Sequence, residues 1–183
     1  MKLLRLANTI NSTSAPYNQF SLGFKETIDQ TFCSLFQHDV LVDKDIKGFH
    51  GDGSILKMLK LVKELVNKNK YDVVHIHSGL TGLIFIISIF PFRLALLKRT
   101  VFTLHTSYNL LRFRNKILVT LTMFIVSKVC PCSKSSLDSI PKPIQGYIQE
   151  KTFMIVNGFN HHRIDTVSYT HLRAHETRHA LVC

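Results

Sequence analysis

The chain has 183 residues, 45% apolar and 19% charged, which is room for one domain of ordinary size and excludes a largely disordered chain. Lys and Arg number 23 against 12 Asp and Glu, a formal charge of +11, so anionic partners are favoured: nucleotide phosphates, nucleic acid or an acidic membrane face. The four Cys (Cys33, Cys130, Cys132, Cys183) are too unevenly spaced for a disulfide framework, which points to a reducing compartment, and the lack of Trp removes the strongest stacking residue from any sugar or base platform.

Lys2 to Ala7 predicts a first strand, and Asn8 to Ser14, small and polar except for Ile10, predicts a loop. Pro16 suits the first turn of a helix whose apolar side would come from Phe20, Leu22, Phe24 and Ile28. Phe32 to Phe36 and Val40 to Val42 read as strands. From Ser54 to Asn69 the apolar residues Ile55, Met58, Leu59, Val62, Leu65 and Val66 recur every three or four positions, which predicts a helix capped by Ser54. Tyr71 to His77 is a β-branched run ending at Ser78-Gly79, so strand then turn. Leu80 to Phe90 reads as a buried helix closed by Pro91. The charge-free stretch from Gly79 to Phe92 has 14 residues, short of the roughly 20 that cross a bilayer. Val101 to His105 is the next strand, Asn115 to Val126 another buried helix, Lys128 to Cys132 a short strand and Ser133 to Ser139 a helix start. Pro141 and Pro143 then interrupt, and Thr152 to Val156 makes a last strand before Asn157-Gly158.

Strands apolar on both faces and alternating with helices predict an α/β fold, a Rossmann-like parallel sheet with helices on both faces. In such sheets chemistry gathers at the carboxyl ends of the strands. Four places qualify: Asn8 to Ser14, His77 to Gly79, His105 to Ser107, and Asn157-Gly158. His75 and His77 stand two apart in one strand and share a face. With His105 they would suit a metal, yet no carboxylate or Cys stands at a matching position, so no metal is assigned. His75 reads as a hydrogen-bonded core residue, whereas His77 is at a strand end where it can face a ligand. His105 ends a strand and is followed by the hydroxyls of Thr106 and Ser107, a pattern that suits sugar or phosphate oxygens. Cys130 and Cys132 lack the spacing of a redox pair and read as buried structural residues. Arg112, Arg114 and Lys116, ahead of an apolar helix, suit either contact with anionic lipid or an ordinary solvated surface. Neither a G-x-x-x-x-G-K loop nor a G-x-G-x-x-G turn is present.

Four segments in order, Tyr71-Asp72-Val73-Val74-His75-Ile76-His77, Val101-Phe102-Thr103-Leu104-His105-Thr106-Ser107, Lys128-Val129-Cys130-Pro131-Cys132-Ser133 and Phe153-Met154-Ile155-Val156-Asn157-Gly158-Phe159-Asn160, resemble the N-terminal half of family 4 retaining glycosyltransferases. The resemblance implies half of a GT-B fold, two Rossmann-like domains with the active site between them, over residues 1–160, with a linker starting at 161–166. It implies a cytoplasmic enzyme, in peripheral contact with the inner membrane face. Its substrates would be a nucleotide sugar and a glycan or lipid-linked acceptor, with no cofactor and no nucleic acid partner. It also implies that His105 is catalytic and lies near the transferred sugar, with His77, Thr106 and Ser107 as its neighbours. Asn11, Ser12, Thr13 and Ser14 would form the loop that approaches donor phosphates and acceptor, without the family's usual Gly-Gly, and Asn157 and Gly158 the closing turn. The acidic motif and the diphosphate-gripping bases of such enzymes belong to the other domain, so this chain alone is expected to be an inactive fragment. From Val167 the sequence VSYTHLRAHETRHALVC resembles the translation of a sequencing-library adapter, so residues 167–183 are expected to be non-native. A basic α/β module that binds nucleic acid or anionic membrane is the alternative reading.

Overall fold

The structure is a computed structural model that describes residues 1–10, 27–36 and 47–156. In chain order these form β1 (Lys2–Ala7), β2 (Asp29–Ser34), β3 (Lys47–His50), α1 (Ile55–Lys68), β4 (Val73–Ile76), α2 (Gly79–Ile89), β5 (Thr100–Leu104), α3 (Phe113–Ile125), β6 (Lys128–Pro131), α4 (Lys134–Asp138) and α5 (Lys142–Ile148). Every pairing is parallel, and the order across the sheet is β3-β2-β1-β4-β5-β6. The chain builds outwards from β1 to β3 and then returns to place β4 on the other side of β1. That reversal opens a crevice at the carboxyl ends of β1 and β4, where ligands of open α/β sheets bind. The Rossmann-like sheet expected from the alternation of apolar runs is therefore present.

Local rules account for the helices. The stripe of α1 buries Met58, Val62, Leu65 and Val66, and the Ser54 hydroxyl caps its start by accepting from the Lys57 N–H at 3.3 Å. Ser78 does the same for α2, accepting from the Thr81 N–H at 3.2 Å. The two glycines of α2 allow it to touch α3. A Cβ on Gly82 would stand 2.5 Å from Thr122 Oγ1, and one on Gly79 2.7 Å from the Val119 nitrogen. The Thr122 hydroxyl uses that closeness to donate to the Gly79 carbonyl at 3.2 Å.

Helices α1, α2 and α3 cover one face of the sheet, where Leu4, Leu6, Val74, Ile76, Phe102 and Leu104 are all buried. The other face carries Arg5, Gln30, His75 and Thr103 beside Leu3 and Phe32. The helix expected near Pro16 and the strand expected at Val40 to Val42 lie outside the described residues.

Several boundaries differ from the sequence expectation. The strand expected at Phe32 to Phe36 starts earlier, at Asp29, because its register on β1 pairs Asp29 with Lys2. Ile28, expected on a helix, directly precedes this strand and is not helical. Strand β3 was not expected: Lys47-Gly48-Phe49-His50 has no apolar alternation and is held as an edge by pairing to β2. Leu94–Arg99 forms a 3-10 turn where no element was expected. Pro141 and Pro143 end one helix and start the next. Pro141 is the N-cap residue of α5 and Pro143 sits in its first turn, where a missing N–H breaks no helical bond. Among the described residues Thr152 to Val156 forms a single bridge, Thr152 to Val129, with hydrogen bonds from the Phe153 N–H to the Val129 carbonyl at 2.9 Å and from the Ile155 N–H to the Pro131 carbonyl at 3.2 Å. Phe153 to Val156 are exposed, so this stretch lacks the buried faces that would make it a full strand.

Candidate functional site

The carboxyl ends of β1, β4 and β5 open into one cavity of about 390 Å³. Asn8 from β1, His77 and Ser78 after β4, and His105 and Thr106 after β5 line it, and the first turn of α3 adds Arg114 and Asn115. The Ser78 hydroxyl donates to Asn8 Oδ1 at 2.7 Å, which ties the end of β1 to the cap of α2. With no acidic residue in its first turn, the start of α2 presents the positive end of its backbone dipole to this cavity.

The central feature is a line of three imidazoles. His75 stands opposite Val101 in the register and reaches Thr103, two residues further along β5, while His77, just after β4, reaches His105, just after β5. His75 Nε2 is 2.7 Å from Thr103 Oγ1, and His77 Nδ1 is 2.9 Å from His105 Nε2. The His75 and His77 rings lie 4.0 Å apart, and those of His77 and His105 stack at 5.2 Å with planes 18° apart. A 2.9 Å contact between two ring nitrogens holds a single proton. One imidazole donates, and the other presents its lone pair. Two imidazolium rings at that distance would repel strongly in a site half removed from water.

Burial supports the neutral state. It pushes the His75 pKa down to about 3, helped by the charge of Arg5 and by His105. The His77 pKa is held well below the ordinary value by burial first, then by His75, His105 and Arg5. Burial also lowers His105. Arg5 itself is buried beneath the line, 5.6 Å from the Phe32 ring centre, and burial lowers its pKa to about 10. His77 Nε2 is buried with no hydrogen-bond partner among the described residues.

The structure brings together some of the expected site residues and leaves others apart. His77, His105 and Thr106 share the cavity. Ser107 does not line it; it caps the 3-10 turn Tyr108–Leu110 without a side-chain bond. Asn11, Ser12, Thr13, Ser14, Asn157 and Gly158 lie outside the described residues. Arg5 and Thr103, which set the state of His75, were not anticipated as partners. Neither was Asn115, and Arg114 was expected either at anionic lipid or on an ordinary solvated surface. Cys130 is buried, with burial raising its thiol pKa, and Cys132 donates weakly to the His105 carbonyl at 3.4 Å. Among the described residues no group of three or more His, Cys, Asp or Glu could hold a metal ion.

By sequence, neither a protein-family model nor a curated protein matches the chain. By structure it is similar to the UDP-GlcNAc 2-epimerase of Methanocaldococcus jannaschii, with a TM-score of 0.61 and 15% identity over 86% of this chain and 46% of that one. The UDP-N-acetylglucosamine 2-epimerase of Rickettsia bellii gives 0.61 and 14% over 84% and 44%. The epimerase of Neisseria meningitidis, solved bound to UDP-GlcNAc, gives 0.51 and 16% over 86% and 46%. The fold shared with these GT-B-like epimerases is the Rossmann-like parallel sheet with its helices. At such identities the likeness concerns the fold alone, and the chain spans about half the length of the structures it matches. In this sheet the paired histidines stand beside the point where the strand order reverses.

Proposed function

We propose that this chain is the acceptor-side half of an enzyme that moves a sugar from a nucleotide-sugar donor to a glycan or lipid-linked acceptor with retention of configuration. The observation that carries the reading is the His77–His105 pair in the cavity at the strand ends. A neutral His105 would direct a hydrogen bond to a sugar hydroxyl without adding charge where positive charge develops on the sugar. Arg114 offers a cation for a phosphate, and Asn8, Asn115 and Thr106 offer polar groups for hydroxyls. His77 holds the His105 ring through its Nδ1 contact and so acts as a positioning residue. Ser107, Asn11 to Ser14 and Asn157-Gly158 belong to the proposal through the family resemblance alone. The groups that neutralise a leaving diphosphate would come from the second half of the GT-B enzyme, so residues 1–183 alone should turn over no donor.

The product of the uninterrupted gene, incubated with a panel of nucleotide sugars and acceptors, tests the reading. Nucleoside diphosphate should be released only with acceptor present, and His105→Ala should lower kcat by about 100-fold with folding intact. Unchanged turnover in His105→Ala would overturn the assignment. The likeness to 2-epimerases favours a second reading, inversion of a nucleotide sugar at one carbon. In that case the sugar stays attached to its nucleotide, and product analysis in the same assay separates the two.

A further inference from the structure

The chain has no Trp to serve as a stacking platform, yet the histidine cavity has an aromatic wall. Phe36, just beyond the carboxyl end of β2, lines it together with Asn8, His77, Ser78 and His105. Phe36 is 48% accessible. A single exposed phenylalanine on a convex surface needs no explanation. This one stands in a concave site with convergent polar groups, where apolar walls orient small-molecule ligands.

Its backbone is fixed at both ends. The Phe36 N–H donates to the Asn8 carbonyl at 2.9 Å, which extends the pairing of β1 and β2 past the strands, and the Phe36 carbonyl accepts from the Ser34 hydroxyl at 2.5 Å. The turn Gly51-Asp52-Gly53, which follows β3, grips the two residues that lead into Phe36. Its Gly51 N–H donates to the Ser34 carbonyl at 2.9 Å and its Gly53 N–H to the Leu35 carbonyl at 2.8 Å. Asp52 and Gly53 both hold left-handed conformations, at φ 52° and 78°. That region is costly for a residue with a Cβ and persists where neighbours over-determine it. Here they do: His50 Nδ1 lies 2.5 Å from Asp52 Oδ1, and the Lys57 ammonium pairs with Asp52 Oδ2. A Cβ on Gly53 would stand 3.5 Å from the Phe36 ring, so the ring rests against the bare side of this glycine. Three strand ends and an ion-paired turn thus hold one aromatic ring in the cavity wall.

We propose that Phe36 is the stacking platform of this cavity and receives the apolar C–H face of a pyranose ring. A pyranose presents C–H groups on one face, which suit the negative face of an aromatic ring, and hydroxyls around its rim. The polar groups of the cavity come from four separate places: Asn8 after β1, Ser78 at the start of α2, Thr106 after β5 and Asn115 in α3. That distribution matches hydroxyls spread round a sugar better than the single edge of a nucleobase. The proposal deepens the sugar-transfer reading and rests on its premise that the cavity takes a sugar. It holds for the pyranose of the donor or of the acceptor.

Saturation-transfer nuclear magnetic resonance on the 183-residue chain reads binding without any turnover. The probes are the methyl glycosides of glucose, galactose, mannose and N-acetylglucosamine, with uridine as the control for a base. At least one glycoside should receive saturation, strongest at the C–H protons of one ring face. Phe36→Ala should cut that signal about fivefold to tenfold, and Phe36→Tyr should keep it. Thermal melts check the fold, and Phe36→Leu, which keeps apolar bulk without a ring, replaces Phe36→Ala if the latter loses it. Saturation of no glycoside, a signal indifferent to the loss of the ring, or ring-dependent saturation of uridine alone would overturn the proposal. In the enzyme from the uninterrupted gene, Phe36→Ala should lower kcat/KM about tenfold through KM. The acceptor's KM rises if the acceptor's ring lies on Phe36, and the nucleotide sugar's KM rises if the donor's does. A fall in kcat with both KM values unmoved would overturn the platform. An enzyme that transfers no sugar, while glycoside binding still depends on Phe36, would overturn the transfer reading and support the platform.

Discussion

The two faces of the sheet are built on opposite principles. Under α1, α2 and α3 the strands present Leu4, Leu6, Val74, Ile76, Phe102 and Leu104, and stability there comes from removing apolar area from water. On the opposite face the same strands present Arg5, Gln30, His75 and Thr103, continued by His77 and His105 beyond the strand ends. Buried polar groups contribute little net stability. One strand therefore serves both purposes: in β4, Val74 and Ile76 hold the fold while His75, pointing the other way, belongs to the polar line. A sheet that only had to be stable would carry apolar residues on both faces. The polar face marks where this one is adapted for something else.

The largest effect should come from the apolar face. Phe102→Ala opens a cavity beside β4 and β6 and should cost about 3–5 kcal/mol, read as a lower urea midpoint. Gly82→Ala forces a methyl into Thr122 and should cost about 1–3 kcal/mol. Adding Thr122→Ser, which removes one of the crowding atoms, should recover part of that loss.

The polar face should respond to pH where the apolar face does not. A histidine whose folded pKa lies below its unfolded value of 6.5 takes its proton more readily in the unfolded chain. Stability is thus intact above pH 6.5 and declines as the pH falls, with the loss from His75 complete only near pH 3. The slope should reach about 1.4 kcal/mol per pH unit for each such histidine, seen in urea midpoints measured across this range. Thr103→Val removes the partner of His75 Nε2 and should cost about 1–3 kcal/mol. The smallest effect on stability is expected for Arg5→Met, because removing a buried cation relieves desolvation as it removes contacts. Its readout is electrostatic: the His75 and His77 titrations should move up, since Arg5 lowers both, and nuclear magnetic resonance of the imidazole protons would follow them. Unmoved titrations would show that Arg5 does not act on the line.

Local pattern made the central strands and the three longer helices legible. β1, β4, β5 and β6 are apolar runs bounded by polar turns, and α1 has its stripe and its Ser54 cap within 16 residues of sequence, Ser54 to Asn69. These signals are contained in neighbouring residues, so the chain alone determines them. β3 was not legible because Lys47–His50 has no alternation of its own and becomes a strand only through β2. Thr152 to Val156 shows the reverse: a strand-like run that has one neighbour among the described residues, in β6, and no buried faces.

The candidate site divides in the same way. Two histidines two apart in a strand had to share a face, and a histidine followed by two hydroxyl residues at a strand end had to lie near the crevice; the sequence determined both. That His77 meets His105 at 2.9 Å and His75 meets Thr103 at 2.7 Å was decided by the tertiary structure. Each pair is separated by 28 residues and joined only by the register of β4 on β5. A shift of that register by one residue would turn every side chain of β4 to the opposite face relative to β5. It is fixed by burial of Val74, Ile76 and Phe102 on the apolar face, so the packing of one side of the sheet sets the chemistry of the other.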